Sequence, residues 1–249
     1  MTTWVFLRGL IRESRHWGDF PRVFREANAG AEIVMLDFPG TGILNGSASL
    51  TSVDAMADFC QAEMVRRDVR PPYRLLGLSL GGMVATSWAE RHPLAVSACV
   101  LINTSARPFC SVTQRLLLRN WPTMIRLALP GASVEAREQA ILDMTSHAHA
   151  NDPTLLAEWV RYGKEKPVTR SNLIRQLLAA ALYRAPHGSA PVPTLVLAST
   201  RDAMVDVRCS RAFASARGGT LVEHPAAGHD LPLDDGAWVA DQVRYWSLR

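Results

Sequence analysis

The chain has 249 residues, 48% of them hydrophobic and 20% charged, a length and balance that fit one large globular domain and exclude disorder. The formal charge is +4 and the pI near 9.1, but the basic residues are scattered and almost all arginine, with Lys164 and Lys166 the only lysines, so no nucleic-acid partner is expected. No apolar run approaches the ~20 residues that a spanning helix needs, so no membrane partner is expected either.

The first residues, MTTWVFLRGL, run straight into a β-rich stretch at 3–7 with no charged leader or cleavage site, which makes the cytoplasm the expected compartment. Arg8-Gly9-Leu10 breaks that stretch into a loop carrying Arg12, Glu13, Arg15, His16 and Trp17, and a short helix is expected over 20–29. A second strand at 32–36 (EIVML) closes on DFPGTG at 37–42, which regular structure does not tolerate. Residues 47–52 then supply caps for a helix over about 53–67, whose Val53, Met56, Ala57, Cys60 and Met64 share one face.

Residues 73–83, YRLLGLSLGGM, carry the sharpest pattern in the chain. A buried strand is expected over 73–76, then the G-x-S-x-G run Gly77-Leu78-Ser79-Leu80-Gly81, then a helix over 83–91 ending near His92-Pro93. A Gly/Ser-rich turn between two buried elements would carry the same letters. The position between strand and helix favours a different reading, in which the turn holds Ser79 in a strained conformation with its hydroxyl above the sheet and the small flanking residues admit neighbouring backbone.

A fourth strand is expected at 96–102, after which residues 108–185 show only helical patterns, interrupted at Pro122, Pro130-Gly131, Asn151-Asp152-Pro153 and Pro167. The alternation resumes with a strand at 193–198 (PTLVLA), a helix over 207–217, a strand at 220–223 and a closing helix over 235–246. The expected class is therefore α/β, with about six mostly parallel strands, helices on both faces, a core of residues 1–107 and 186–249, and an inserted helical cap at 108–185. In such sheets reactive groups gather beyond the carboxyl ends of the strands, so Arg8-Gly9, the 37–42 loop, Ser79 and Asn103-Thr104 should share one rim.

A serine nucleophile requires a base and a group that orients the base. Asp202 follows the fifth strand in STRDAMVD, and His229 follows the sixth in PAAGHDLPLD. Asp202 could instead cap the next helix and His229 decorate a surface turn, but both stand at consecutive strand ends in the chain order Ser79, Asp202, His229, which favours a triad. Asp206 is the second choice for the acid, and Asp230 reads as a capping or supporting group.

The runs GLSLGG, DFPGTG, PTLVLASTRD and AGHDLPLD resemble the α/β-hydrolase fold superfamily, specifically its small cap-bearing members, over nearly the whole chain. The resemblance implies Ser79 as nucleophile, His229 as general base and then acid, and Asp202 as the group that fixes the His229 tautomer. It also implies an oxyanion hole from the backbone N–H groups of Leu10 and Leu80, each donor of that kind being worth about 3 kcal/mol. No cofactor or metal is expected, and the partner is a small-molecule acyl substrate. Two departures stand out: Arg8-Gly9 replaces the usual His-Gly, and the short stretch before Gly9 leaves no room for the antiparallel hairpin that commonly starts such sheets.

Arg8, Arg12 and Arg15 cluster near the oxyanion loop and could clamp a substrate carboxylate or phosphate, although ion pairs to Glu13 or Asp37, or simple solvent exposure, are the favoured expectation. Trp17, Trp121, Trp159 and Tyr162 either line a pocket beneath the cap or pack cap against core, with packing expected for at least two of them, and His16 is a further pocket candidate. His147 and His149 lack a third ligand at metal spacing, and the four cysteines lack C-x-x-C spacing and read as free thiols. The expected function is cleavage of a small or medium ester or thioester through an acyl-serine. A lyase or carbon–carbon bond hydrolase acting on a carboxylate-bearing substrate, and a non-catalytic ligand-binding module, remain as alternatives.

Overall fold

The computed structural model describes residues 2–248. Six strands, β1 (Thr2–Leu7), β2 (Ala31–Leu36), β3 (Tyr73–Leu78), β4 (Val96–Ile102), β5 (Thr194–Ser199) and β6 (Thr220–His224), form one sheet in the order β2-β1-β3-β4-β5-β6. Every neighbouring pair is parallel. Parallel strands need crossovers, and helices α1 (Phe20–Ala27), α2 (Val53–Arg66), α3 (Leu80–Arg91), α9 (Val207–Arg217), α10 (Leu231–Asp234) and α11 (Gly236–Ser247) belong to that frame.

Alternate strand residues divide between two cores. Trp4, Phe6, Leu76, Leu78 and Val100 pack against Phe24 of α1 and Val243 of α11, while Val5, Leu7, Leu75, Cys99 and Leu101 face Met56 of α2 and Trp88 of α3. Both faces are covered, so the strands read as near-continuous apolar runs. The chain turns one way from β1 to β2 and then crosses back over β1 to β3, which makes the gap beyond β1 and β3 the switch point where ligands bind in such sheets.

Between β4 and β5 lie helices α4 (Val112–Arg115), α5 (Trp121–Ala128), α6 (Val134–Thr145), α7 (Pro153–Glu165) and α8 (Arg170–Leu182). Pro122 does not interrupt α5, and Pro153 opens α7, because a proline in the first helical turn gives up an N–H that has no acceptor there. Ser133, Asp152 and Thr169 cap α6, α7 and α8 with their side-chain oxygens. The two ends of this helical segment meet at an Arg107–Arg184 bridge, with Ala185 N–H donating to Arg107 O at 2.7 Å. The segment is fastened to the sheet domain by polar contacts that reach into buried ground. Gln176 Oε1 accepts from Ile11 N–H at 2.8 Å, Asn172 Oδ1 accepts from Ser49 N–H at 2.8 Å, and Arg12 pairs with Glu138 at 2.5 Å.

Several boundaries differ from the sequence expectation. β3 runs on to Leu78 and α3 begins at Leu80, so the strand passes into the helix through the single residue Ser79. The loop after β1 contains a short 3-10 turn at Ser14–Trp17, held by a reciprocal Glu13/His16 cap. All four cysteines are free, as the spacing suggested, and three of them are buried.

Candidate active site

Ser79 carries φ 55° and ψ −114°, a backbone conformation that a non-glycine residue adopts only under constraint. The constraint is visible on both sides. Ser79 N–H donates to Ile102 O at 2.9 Å, and Thr104 Oγ1 donates to Ser79 O at 2.8 Å. The glycines are steric necessities: a Cβ on Gly77 would lie 2.4 Å from Gly81 O, and one on Gly81 would lie 2.0 Å from Leu7 O. The end of β1 and the start of α3 can therefore touch only because residue 81 has no side chain.

Asp202 and His229 come from the turns after β5 and β6 and are 8% and 4% exposed. Asp202 Oδ2 faces His229 Nδ1 at 2.7 Å, while its Oδ1 accepts the N–H groups of Met204 at 2.7 Å and Val205 at 2.9 Å. The carboxylate is thus fixed by its own loop before it meets the ring. Burial, the largest influence on His229, works against a charged ring; the Asp202 charge and hydrogen bond together with the Asp230 charge outweigh it and hold the pKa above the usual 6.5. Asp206 caps α9 through Arg208 N–H and pairs with the Arg208 guanidinium, so it is Asp202 that meets the histidine.

Ser79, His229, Gly9 and Leu10 line one cavity, whose apolar wall includes Met124, Leu127, Ile141, Met144 and Met204. Leu80 is the first residue of α3, where an N–H has no acceptor inside the helix. Leu10 and Leu80 also border a second cavity that shares Ser79.

The guanidinium cluster is ion-paired, through an expected partner at Arg15 and through unexpected ones at Arg8 and Arg12. Arg8 lies against Asp230, with Nη1 donating to Oδ1 at 3.1 Å and Nη2 to Oδ2 at 2.5 Å, and stacks over Trp17 with its Cζ 4.7 Å from the ring centre. Arg12 pairs with Glu138 and lies 4.3 Å over Trp159, and Arg15 pairs with Glu13 and Glu165 over Tyr162. Of the two partners expected from sequence, Glu13 takes Arg15, whereas Asp37 accepts the backbone N–H groups of Ser14 and Ile43.

The tryptophans do not line the Ser79 cavities. Trp17 and Trp159 are 3% and 1% exposed and belong to apolar cores, and Trp121 sits on the outside of α5 with its indole N–H donating to Leu116 O at 3.1 Å. Large aromatics bury most area as packing under charged neighbours, whereas the cavity wall is built of flexible thioethers and aliphatics. His16 lines not the Ser79 cavity but a neighbouring one, with Arg12 and Tyr162, between the β1 loop and the helical segment. Its burial, then the charges of Arg12 and Arg8, push its pKa well below 6.5. His147 contacts Arg201 O and His149 faces Asp152, and among the described residues no three metal-ligating side chains converge.

One supporting residue was named in the sequence only as part of the rim. Asn103, at φ 46°, donates from Nδ2 to His229 O at 2.8 Å and to Ser199 Oγ at 3.1 Å, and accepts Ser199 N–H at 2.7 Å. It binds the end of β4 to the end of β5 and to the His229 turn. Asp230 N–H donates in turn to Thr145 O of α6 at 2.7 Å, tying that turn to the helical segment.

A parallel sheet with this switch point, a serine at a strained strand–helix elbow and a buried carboxylate–imidazole contact at the same rim defines a hydrolase of the α/β class. The sequence model of the alpha/beta hydrolase family matches residues 4–242, and the chain belongs to that family. It is an esterase-like hydrolase, similar to a pimeloyl-[acyl-carrier protein] methyl ester esterase of Chromobacterium violaceum, 28% identical over 86% of this chain and 83% of that protein. It is also similar to a putative carbamate hydrolase of Serratia proteamaculans, 27% identical over 87% of this chain and 81% of that protein. The crystal structure of the enol-lactonase of Burkholderia xenovorans covers 100% of this chain and 92% of its own with a TM-score of 0.80 at 17% identity, a likeness of fold. Among the described residues no helix is long and apolar enough to cross a membrane.

Proposed function

We propose that the protein cleaves a small or medium ester or thioester through an acyl-serine intermediate, with Ser79 as nucleophile, His229 as base and Asp202 as the group that orients the ring. The observation that carries this reading is the buried 2.7 Å contact between Asp202 and Nδ1 of His229, which lines the cavity that holds Ser79. With Nδ1–H donated to Asp202, His229 Nε2 is the acceptor for the Ser79 proton, and the imidazolium that forms is stabilised by the same carboxylate. The backbone N–H groups of Leu10 and Leu80 are the oxyanion donors, preorganised by the β1 loop and by the start of α3. Residues 108–185 serve as a cap over this rim, closing the cavity with Met124, Ile141 and Met144.

A carboxylate clamp by Arg8 or Arg12 finds no support, because both guanidiniums already face buried carboxylates. The reading therefore favours neutral acyl esters over the acidic substrates of the lyase alternative. Incubation with a fluorophosphonate probe tests it: labelling of wild type and loss of labelling in Ser79→Ala is the expected result. Equal labelling of both proteins would overturn it. Ester turnover by Ser79→Ala and His229→Ala is expected to fall by at least about 10³-fold.

A further inference from the structure

Two chambers open from Ser79, and only one of them contains His229. They share a throat formed by Leu10, Ser79, Met124 and Met204. The first continues past His229 to Leu127, Ile141 and Met144; the second continues past Leu80 and Met83 to α4 and α8, ending at Val112, Leu177 and Ala181.

Acyl transfer treats these chambers unequally. Ser79 Oγ bonds to the carbonyl carbon, its proton passes to His229 Nε2, and His229 returns that proton to the leaving oxygen or sulfur as its bond to the carbonyl carbon breaks. The leaving atom must then lie within hydrogen-bond reach of His229. Its substituent must occupy the chamber that His229 lines. The acyl chain, on the other side of the tetrahedral carbon, is left the second chamber. Water later enters where the leaving group stood, gives its proton to His229, and the acid departs as Ser79 Oγ regains that proton.

We infer that the His229 chamber holds the leaving group and the α4–α8 chamber holds the acyl chain, so that the preferred substrate is an ester of a small apolar alcohol with an extended acyl group. The inference rests on the serine-hydrolase reading above. The walls of the two chambers support it independently. In the first, Leu78, Leu127, Ile141 and Met144 are all 2–7% exposed, so the wall beyond His229 is buried, and its charges cancel in pairs as Arg8–Asp230 and Arg12–Glu138. Such a space suits a small neutral group. The second reaches the surface at Val112, which is 60% exposed, and at the exposed Ala181. Arg115 is its charged lining residue, and the guanidinium is engaged by the Ala180 and Ala181 carbonyls in the last turn of α8, where the helix dipole favours a cation. An apolar channel open at its far end accepts chains of increasing length.

Two series of esters test the assignment, one of methyl esters from acetate to decanoate and one of hexanoate esters from methyl to benzyl alcohol, each read as kcat/KM on the full-length protein. Wild type is expected to gain with acyl length and to lose about tenfold or more from methyl to benzyl. Ala181→Trp is expected to lower the decanoate-to-acetate ratio about tenfold, with Leu177→Phe as a second, smaller obstruction of the same channel. Met144→Ala is expected to raise the benzyl-to-methyl ratio about fivefold. The assignment is overturned if obstructing α8 changes the alcohol profile instead, or if Met144→Ala changes the acyl profile. Fluorophosphonate labelling run in parallel separates the two layers: absent labelling in wild type defeats the serine-hydrolase reading, whereas normal labelling with exchanged profiles defeats only the chamber assignment.

Discussion

Arg8 and Asp230 close on one another through two hydrogen bonds, at 3.1 and 2.5 Å, with side chains 2% and 4% exposed. The residue before Gly9 is thereby locked to the residue after His229, across 222 positions of sequence. Removing one partner leaves an unpaired charge in the interior, so Arg8→Ala is expected to cost about 3–5 kcal/mol in urea unfolding. The paired change Arg8→Met with Asp230→Leu should recover much of that loss, since a buried ion pair is often matched by apolar packing. If Arg8 is structural in this sense, Arg8→Ala lowers kcat/KM by the same factor for neutral and carboxylate-bearing esters. A selective loss on the carboxylates would return it to the substrate.

That pair also marks the limit of sequence reading. Strand ends and the turns beyond them were legible because apolar runs broken by Gly, Asp or Pro are local signals, and the rim positions of Ser79, Asp202 and His229 followed from those alone. The strand order and the partners of Arg8, Arg12 and Asn103 depend on contacts between distant segments, which composition and period do not encode. The tryptophans stayed open between two readings for a related reason: an aromatic at helical spacing has the same letter whether it faces a cavity or a cationic neighbour. The methionines that do line the cavity, at 124, 144 and 204, carry no local pattern at all.

With His229 as the proposed base, its raised pKa sets the expected acid side of the rate profile. The base must be neutral to accept a proton, so kcat/KM should fall as pH drops through a value above the 6.5 of an ordinary histidine. Asp202→Asn removes the charge that opposes desolvation, and the acid limb should move to lower pH while kcat falls by about 10³–10⁴-fold. A pH profile of both proteins checks the shift and the loss together. An unchanged limb would mean that a group other than His229 titrates in the rate.

His16 is shifted the other way, and the consequence is read in stability. Its folded pKa is depressed, first by burial and then by Arg12 and Arg8, and its ring centre sits 5.4 Å from those of both Trp159 and Tyr162. Below about pH 6.5 the unfolded chain binds a proton that the folded protein refuses, so this histidine withdraws stability as pH falls, at up to about 1.4 kcal/mol per pH unit. Unfolding of wild type and His16→Gln between pH 7.5 and 5.5 isolates the slope, because the other groups cancel in the difference. Parallel curves would show that the ring is protonated in the folded state.

The close passage of β1 beneath α3 should be intolerant of a single methyl group. Gly81→Ala places a Cβ 2.0 Å from Leu7 O and 2.7 Å from Arg8 O, both backbone atoms, and is expected to lose about 4 kcal/mol or more or fail to fold. Gly46→Ala is the control, since a Cβ there meets nothing within 4 Å. Thermal unfolding of the two variants should separate them widely. A Gly81→Ala protein with wild-type Tm would show that the elbow can open.

Asn103 links this elbow to the histidine without touching either reacting group. Its amide nitrogen holds His229 O at 2.8 Å and its oxygen holds Ser199 N–H at 2.7 Å, while the backbone at 79 hangs from Ile102, the residue before it. Asn103→Ala leaves the carbonyl of His229 without that donor and frees the turn to drift, and a displacement of about 1 Å in a catalytic group is enough to cost about 10²-fold in rate. The expected signature is a fall in kcat of about 10–100-fold with KM nearly unchanged, because both chambers are lined by other residues. Asn103→Asp should recover part of the Ser199 contact through its carboxylate oxygen but not the bond to His229 O, and so remain slow. If Asn103→Ala instead raises KM with kcat intact, the residue shapes the binding space and the His229 turn holds its place through Arg8, Asp202, Thr145 and Asp234.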